Sequence, residues 1–210
     1  MRRGKWPLVI LLIAGLCWRF PLFHVVPLAA ALREKAAAVF NPGQFAETFW
    51  RDQLLKSLDQ AVPAEVLLPA IQADPAAARK KYARSVGLGD SYDYFLAGQG
   101  RVVAVSDDEI SLAVTAGGNA PEISLQMGLL FGNAVRDATG LINVNNYPNS
   151  QDFNAIAEAL NHIVETRVLP PLRAQVKTGL TLRFVGCAEV DDESSDLHPL
   201  KVVPVQVKLP

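Results

Sequence analysis

The sequence predicts an α+β domain built on a small, partly open β-barrel with flanking helices, preceded by a short apolar N-terminal segment. Three observations lead there. Six or so short β-rich segments, separated by Gly, Asp-Asp and Gly-Gly-Asn turns, fill most of the chain after Tyr92. Helical patterns lie outside them at 44–61, after Asp74, and over 150–168. Of the 210 residues, 50% are hydrophobic and 20% charged, a balance that folds around a core and excludes disorder.

That length allows one compact domain and an appendage. The pattern divides the chain into a signal or anchor and juxtamembrane segment over 1–32, then an extracytoplasmic domain over 33–210. Within the latter, 44–86 is helical, and 92–210 holds the barrel with its helix at 150–168.

The appendage is a targeting signal. Arg2, Arg3 and Lys5 precede an apolar run over 6–18 that Arg19 interrupts. The basic end stays in the cytoplasm and the rest is translocated. The run is shorter than the about 20 residues of a free-standing span and matches a signal h-region. Three fates fit it. The segment stays as an anchor, with Arg19 and His24 near the outer interface. Or Cys17 is lipidated, although Leu16 stands where a small residue is expected. Or the chain is cleaved near the small residues 29–31.

The remaining elements follow in order. Phe45, Phe49, Trp50, Leu54, Leu55 and Leu58 hold helical spacing over 44–61, and Pro63 closes that helix. Asp74-Pro75 is a helix start, an N-cap followed by proline in the first turn. Its helix runs through Arg79, Lys80, Lys81 and Arg84 to Gly87, the cations complementing the C-terminal dipole on a solvated face. The segments YDYFLAG, GRVVAVS, EISLAVT and PEISLQM read as strands, with a hairpin turn in VSDDEIS. Phe153, Ile156, Ala157, Leu160, Ile163, Val164 and Val168 then hold helical spacing until Pro170-Pro171 breaks it. Asn149 caps that helix, with Asp152 as the return half of a capping box. Two final strands, in TGLTLRFVGCAEV and PLKVVPVQVKL, complete the barrel.

Candidate functional residues concentrate between Gly128 and Asn161, where a dense polar set lies between apolar runs. Arg136 and Asp137 read two ways: a planar guanidinium fork for a sugar or carboxylate, or a structural ion pair. Asn145, Asn146 and Asn149, with Gln151 beside them, either line a polyol site through amides that donate and accept, or form turns and a cap. Tyr92, Tyr94, Phe95 and Tyr147 are either a stacking platform or core.

Other chemistries find little support. A net charge of −1, with no basic block beyond the first few residues, gives no footprint for nucleic acid. Cys17 and Cys187 are too few for a disulfide framework, and Cys187 reads as a buried thiol in a strand. His24, His162 and His198 lack metal spacing. Ser91 and Ser111 have no nucleophile-elbow context. Asp107-Asp108 and Asp191-Asp192-Glu193 sit in polar turns, and GLGD at Gly87 precedes a β-like segment rather than a helix. The expectation is a protein without catalysis, cofactor or metal.

Three segments carry a family resemblance: GDSYDYFLAGQGRVVAV, GNAVRDATGLINVNNYPNSQDFNAIAEALN and TGLTLRFVGCAEV. Together they resemble a bacterial family of predicted periplasmic lipoproteins, domain of unknown function 2291. Its sharpest part is G-x-x-x-R-D-A, here 132–138, and the likeness runs from about Phe45 to the C-terminus. The resemblance implies an extracytoplasmic OB-like barrel, often encoded beside ribose-type sugar ABC transporters, with no established activity. It departs at Leu16, before Cys17, and at VNNYPNSQDF, where the family is usually richer in Asp and Phe.

The expected role is therefore a membrane-tethered accessory on the periplasmic side of the bacterial inner membrane. Its expected partners are that membrane and ABC transporter subunits or a solute-binding protein. The alternative is a sugar or polyol binding module using Arg136, Asp137, Asn145, Asn146, Asn149 and Gln151.

Overall fold

A ring of five strands organises the chain. The structure, a computed structural model, describes residues 40–86, 90–146 and 149–209, together with Pro27. The expected anchor, with Cys17, Arg19 and His24, lies outside the described residues, as do Gly87 and Tyr147. The chain divides after Phe40, and the ring belongs to the unit Asn41–Pro210. Among the described residues, no helix is long and apolar enough to cross a membrane.

The sheet contains β1 (Val62–Pro63), β2 (Tyr92–Val105), β3 (Glu109–Ala113), β4 (Ile123–Gln126), β5 (Thr181–Val190) and β6 (Leu200–Lys208). Their order is β1-β2-β3-β4-β6-β5, and β2 also pairs with β5, so the last five strands form a ring with β1 outside it. Pairing is antiparallel except for β1 with β2 and β4 with β6.

The segments YDYFLAG and GRVVAVS belong to one long strand, β2. Its residues Tyr92 to Leu96 are all buried, so this half of the strand is covered on both faces. Gly98 explains how: a Cβ there would lie 2.8 Å from Ala64 Cβ and 3.0 Å from Phe184 Cζ. Glycine is what lets a helix sit directly on the strand. A register shift between Val102 and Ala104 then turns β2 from β5 toward β3. Tyr92, Tyr94 and Phe95 are thus core residues, not a stacking platform. The expected hairpin turn is present at Ser106, whose N–H and hydroxyl donate to Glu109 O.

The helices depart from expectation at several points. The helix expected over 44–61 is shorter: α1 (Pro42–Asp52) is followed by 3-10 turns at Leu54–Lys56 and Leu58–Gln60. The buried Ser57 hydroxyl donates to Leu54 O at 2.9 Å, a local bond that competes with helical pairing. A helix not foreseen, α2 (Ala64–Ala73), begins directly after Pro63 and contains Pro69.

Asp74 caps α3 (Pro75–Tyr82) as expected, accepting from Ala77 N at 3.0 Å. That helix ends before Gly87 because Arg84 pairs with Asp93 as a β-bridge, N to O at 2.8 and 2.7 Å. After the single turn α4 (Ala134–Asp137) comes α5 (Ser150–Ile163). Pro170-Pro171 does not end the helical run. A wide π-turn at Val164–Val168 leads into α6 (Leu169–Gln175), whose first turn takes the prolines without losing an internal bond. The acidic connection after β5 contains the short α7 (Glu193–Asp196), capped by Asp192.

Candidate functional site

Arg136 and Asp137 sit together on α4, each only 4% exposed. The pair is bidentate: Arg136 Nε donates to Asp137 Oδ1 and Nη2 to Oδ2, both at 2.7 Å. Nη1 donates to Phe153 O at 3.0 Å and reaches Asn154 Oδ1 at 3.5 Å. The guanidinium carbon lies 3.6 Å from the Phe153 ring centroid. Every arm of the fork is thus engaged inside the protein, and it ties α4 to α5. A sugar or carboxylate ligand would need that fork free.

The asparagines stand elsewhere, at the surface. Asn143 Oδ1 accepts from Asn145 N at 2.9 Å, and Asn143 O accepts from Asn146 N at 3.1 Å, closing a tight turn. Asn149 Oδ1 caps α5 by accepting from Asp152 N at 2.7 Å. Asp152 answers the Asn149 side-chain amide at 2.9 Å instead of its backbone N–H. Gln151 is exposed in the first turn of α5. The fork of Arg136 is filled by Asp137, Phe153 and Asn154, while these surface amides are engaged in the turn and in the cap of α5. Cys17 lies outside the described residues.

Near Arg136 lies a pair of carboxyl groups that the sequence did not suggest. Asp93 of β2 is the cross-strand partner of Glu189 of β5. Asp93 is buried, and its Oδ1 has no hydrogen-bond partner. Desolvation, aided by the charges of Glu189, Asp137 and Asp191 and opposed by Arg136, pushes its carboxyl up to about 8. Burial among these carboxylates favours the neutral form of the group. The buried Cys187 thiol nearby is also pushed well above its ordinary value, by burial first and by Asp93 second.

Glu189 links this interior to the surface. Its Oε2 accepts from Asn133 N at 2.7 Å, directly beneath Gly132, which has a φ of 85°. A Cβ at Gly132 would collide with that oxygen, so only glycine fits. The loop ending there, 128–133, is held at several further points. Asp108 O accepts from Met127 N at 2.7 Å and Gly128 N at 3.2 Å, and Arg173 Nη2 donates to Met127 O. Glu165 Oε1 accepts from Leu130 N at 2.8 Å, and Asn161 Nδ2 donates to Gly132 O at 3.1 Å.

This bracing turns Leu130 inward and leaves Leu129 and Phe131 each 78% exposed. Beside them runs a groove of about 560 Å3 floored by Glu109, Ser124, Gln126 and Lys201. Ser124 Oγ donates to Glu109 Oε2 at 2.6 Å, and Lys201 pairs with Asp196 at 2.9 Å. An exposed apolar pair beside hydrogen-bonding groups is the composition of a binding face. The sequence carried a signal for it, the trio Leu129, Leu130 and Phe131 between Gly128 and Gly132.

The profile of the predicted periplasmic lipoprotein family, DUF2291, matches residues 8–208. The chain belongs to that family. Its members are described as periplasmic, in agreement with the targeting signal read from the N-terminus. The chain is also similar to an OB-fold protein of known structure from Thermotoga maritima. The TM-score is 0.72 at 26% identity, over 82% of this chain and 99% of that one. Among curated proteins none matches. The groove lies on β3 and β4, the second and third strands of the ring, with Lys201 of β6 beside them.

Proposed function

We propose that this lipoprotein is a membrane-tethered accessory of solute uptake that binds a protein partner and performs no catalysis. The partner is a transporter subunit or solute-binding protein of a sugar ABC system, met through Leu129, Phe131 and the adjacent groove. One observation carries the reading: two large apolar side chains are presented to solvent on a loop fixed from both ends. Two large apolar side chains exposed side by side are the kind of surface a protein partner covers. Fixing the loop in advance lowers the ordering cost of association. Tethering raises the effective concentration at the membrane, so a modest interface suffices.

The test is affinity purification of the full-length protein from gently solubilised membranes, with and without Leu129→Ser and Phe131→Ser combined. Each buried apolar side chain contributes about 1.5–3 kcal/mol, so recovery of a stoichiometric partner should fall at least tenfold. Transport subunits recovered equally well with the double variant would overturn the docking face. A solitary protein would overturn the accessory role itself.

A further inference from the structure

A second pocket shares no lining residue with the groove beside Leu129 and Phe131. A cavity of about 1130 Å3 forms where α2, the middle of β2, the β3–β4 loop and the turn before β6 meet. Small-molecule sites occupy about 300–1000 Å3, and this cleft exceeds that range slightly, so it is roomier than any packing flaw. On α2, the stripe of residues 65, 68, 69 and 72 faces it, at the i, i+3, i+4, i+7 spacing of one helix face. Leu67 is buried in the core between them. The amphipathic helix therefore has two partners: the barrel on one side and an open cavity on the other.

The chemistry of the walls is uneven. Leu68, Pro69, Ala97, Pro121 and Pro199 supply aliphatic surface, and among the described residues no phenyl, phenol or indole ring lines the cavity. The aromatic group that does line it is the His198 imidazole. Of the charged groups, the Glu122 carboxylate is engaged internally. Its Oε2 accepts from Val114 N at 2.8 Å and Thr115 N at 2.7 Å, and its Oε1 accepts from Thr115 Oγ1 at 2.7 Å. Glu65 and Arg183 are both exposed at the mouth of the cavity. Arg183 uses only Nε, which donates to Gln99 Oε1 at 3.0 Å. Its two terminal nitrogens make no hydrogen bond among the described residues, and a guanidinium edge is matched to a carboxylate or phosphate.

We propose that this cavity binds an amphiphile with an aliphatic body and an anionic carboxylate or phosphate head. The body lies along Leu68, Pro69 and Pro121, and the head meets the terminal nitrogens of Arg183. The site is independent of the docking loop and of any partner protein.

The experiment uses the full-length protein in lipid nanodiscs and three ten-carbon diazirine probes: a carboxylate, a phosphate and an ammonium. After irradiation, labelled peptides are located by mass spectrometry. The carboxylate or the phosphate probe should label peptides spanning 64–72 or 114–122, at least tenfold more than the ammonium probe. Stronger labelling by the carboxylate points to a fatty acid, and by the phosphate to a phospholipid head; either supports the site. Arg183→Gln, at an exposed position, should reduce anionic labelling about tenfold. Leu68→Trp, which fills the cavity from a half-buried position, should remove it, with circular dichroism confirming the fold of both variants. Equal labelling by the ammonium probe would overturn the anionic head. Labelling unchanged in both variants would show simple partition into the bilayer and overturn the cavity.

Discussion

Replacing Asp93 by Asn should stabilise the protein, and the gain should depend on pH. In the folded chain the carboxyl titrates near 8, because it is desolvated and faces Glu189, Asp137 and Asp191 with only Arg136 in its favour. In the unfolded chain it titrates near the ordinary value of about 3.9. The folded state thus binds a proton that the unfolded state has already released. The group is neutral on both sides of the equilibrium below about pH 4, and its penalty grows as pH rises toward 8. Each unit is worth about 1.4 kcal/mol, which sets an upper bound of about 4 kcal/mol at pH 7. Asn is neutral and nearly the same shape, and part of the gain is lost again in burying its amide hydrogens. The expected result is about 2–4 kcal/mol of added stability at pH 7, shrinking toward zero at about pH 4.5. Urea unfolding of wild type and Asp93→Asn, followed by circular dichroism at both pH values, reads this directly. A gain equal at the two pH values would refute the protonated carboxyl. A loss at pH 7 would show Asp93 ionised and paired.

Two other substitutions probe the same region. Arg136→Ala should cost about 3–5 kcal/mol, because it strands the buried Asp137 carboxylate and removes the donor to Phe153 O. Urea unfolding measures it, and a variant as stable as wild type would release Arg136 from its structural role and return it to the ligand site read from the sequence. Gly132→Ala should cost about 1–3 kcal/mol through the left-handed backbone and the clash with Glu189, and speed amide exchange in 128–133. Unchanged exchange there would show that Glu189 does not hold the loop.

Most of the fold was legible because its signals are local. Asp74-Pro75 marked a helix start and Asn149 a cap through side-chain bonds spanning three residues. The strands declared themselves by β-branched runs between turns. What the sequence hid depends on contacts distant in the chain. Merging YDYFLAG with GRVVAVS requires knowing that β5 pairs along the first half and β3 along the second. Pro170-Pro171 looked like a terminus because the π-turn before them has no sequence mark. α2 was hidden by its two prolines, one before it and one inside.

The site was legible only in part, for the same reason. Arg136 and Asp137 do lie together, but the partners that fill the guanidinium come from α5. The Asp93–Glu189 pair exists only through strand register. Leu129 and Phe131 were overlooked because their apolar character suggested burial, and only the fixed loop sends them outward.

The closure of the ring also governs when the protein can fold. Its longest ladder joins the pairs from Arg101 with Thr181 to Tyr92 with Val190. Most of β2 therefore waits for a strand near the far end of the sequence. Such non-local pairing is slow, because loop closure must precede the contacts that reward it. Until β5 has been made, β2 lacks the partner for its first half and the ring cannot close. A family described as periplasmic is one in which late closure suits a chain that has to cross a membrane before it folds.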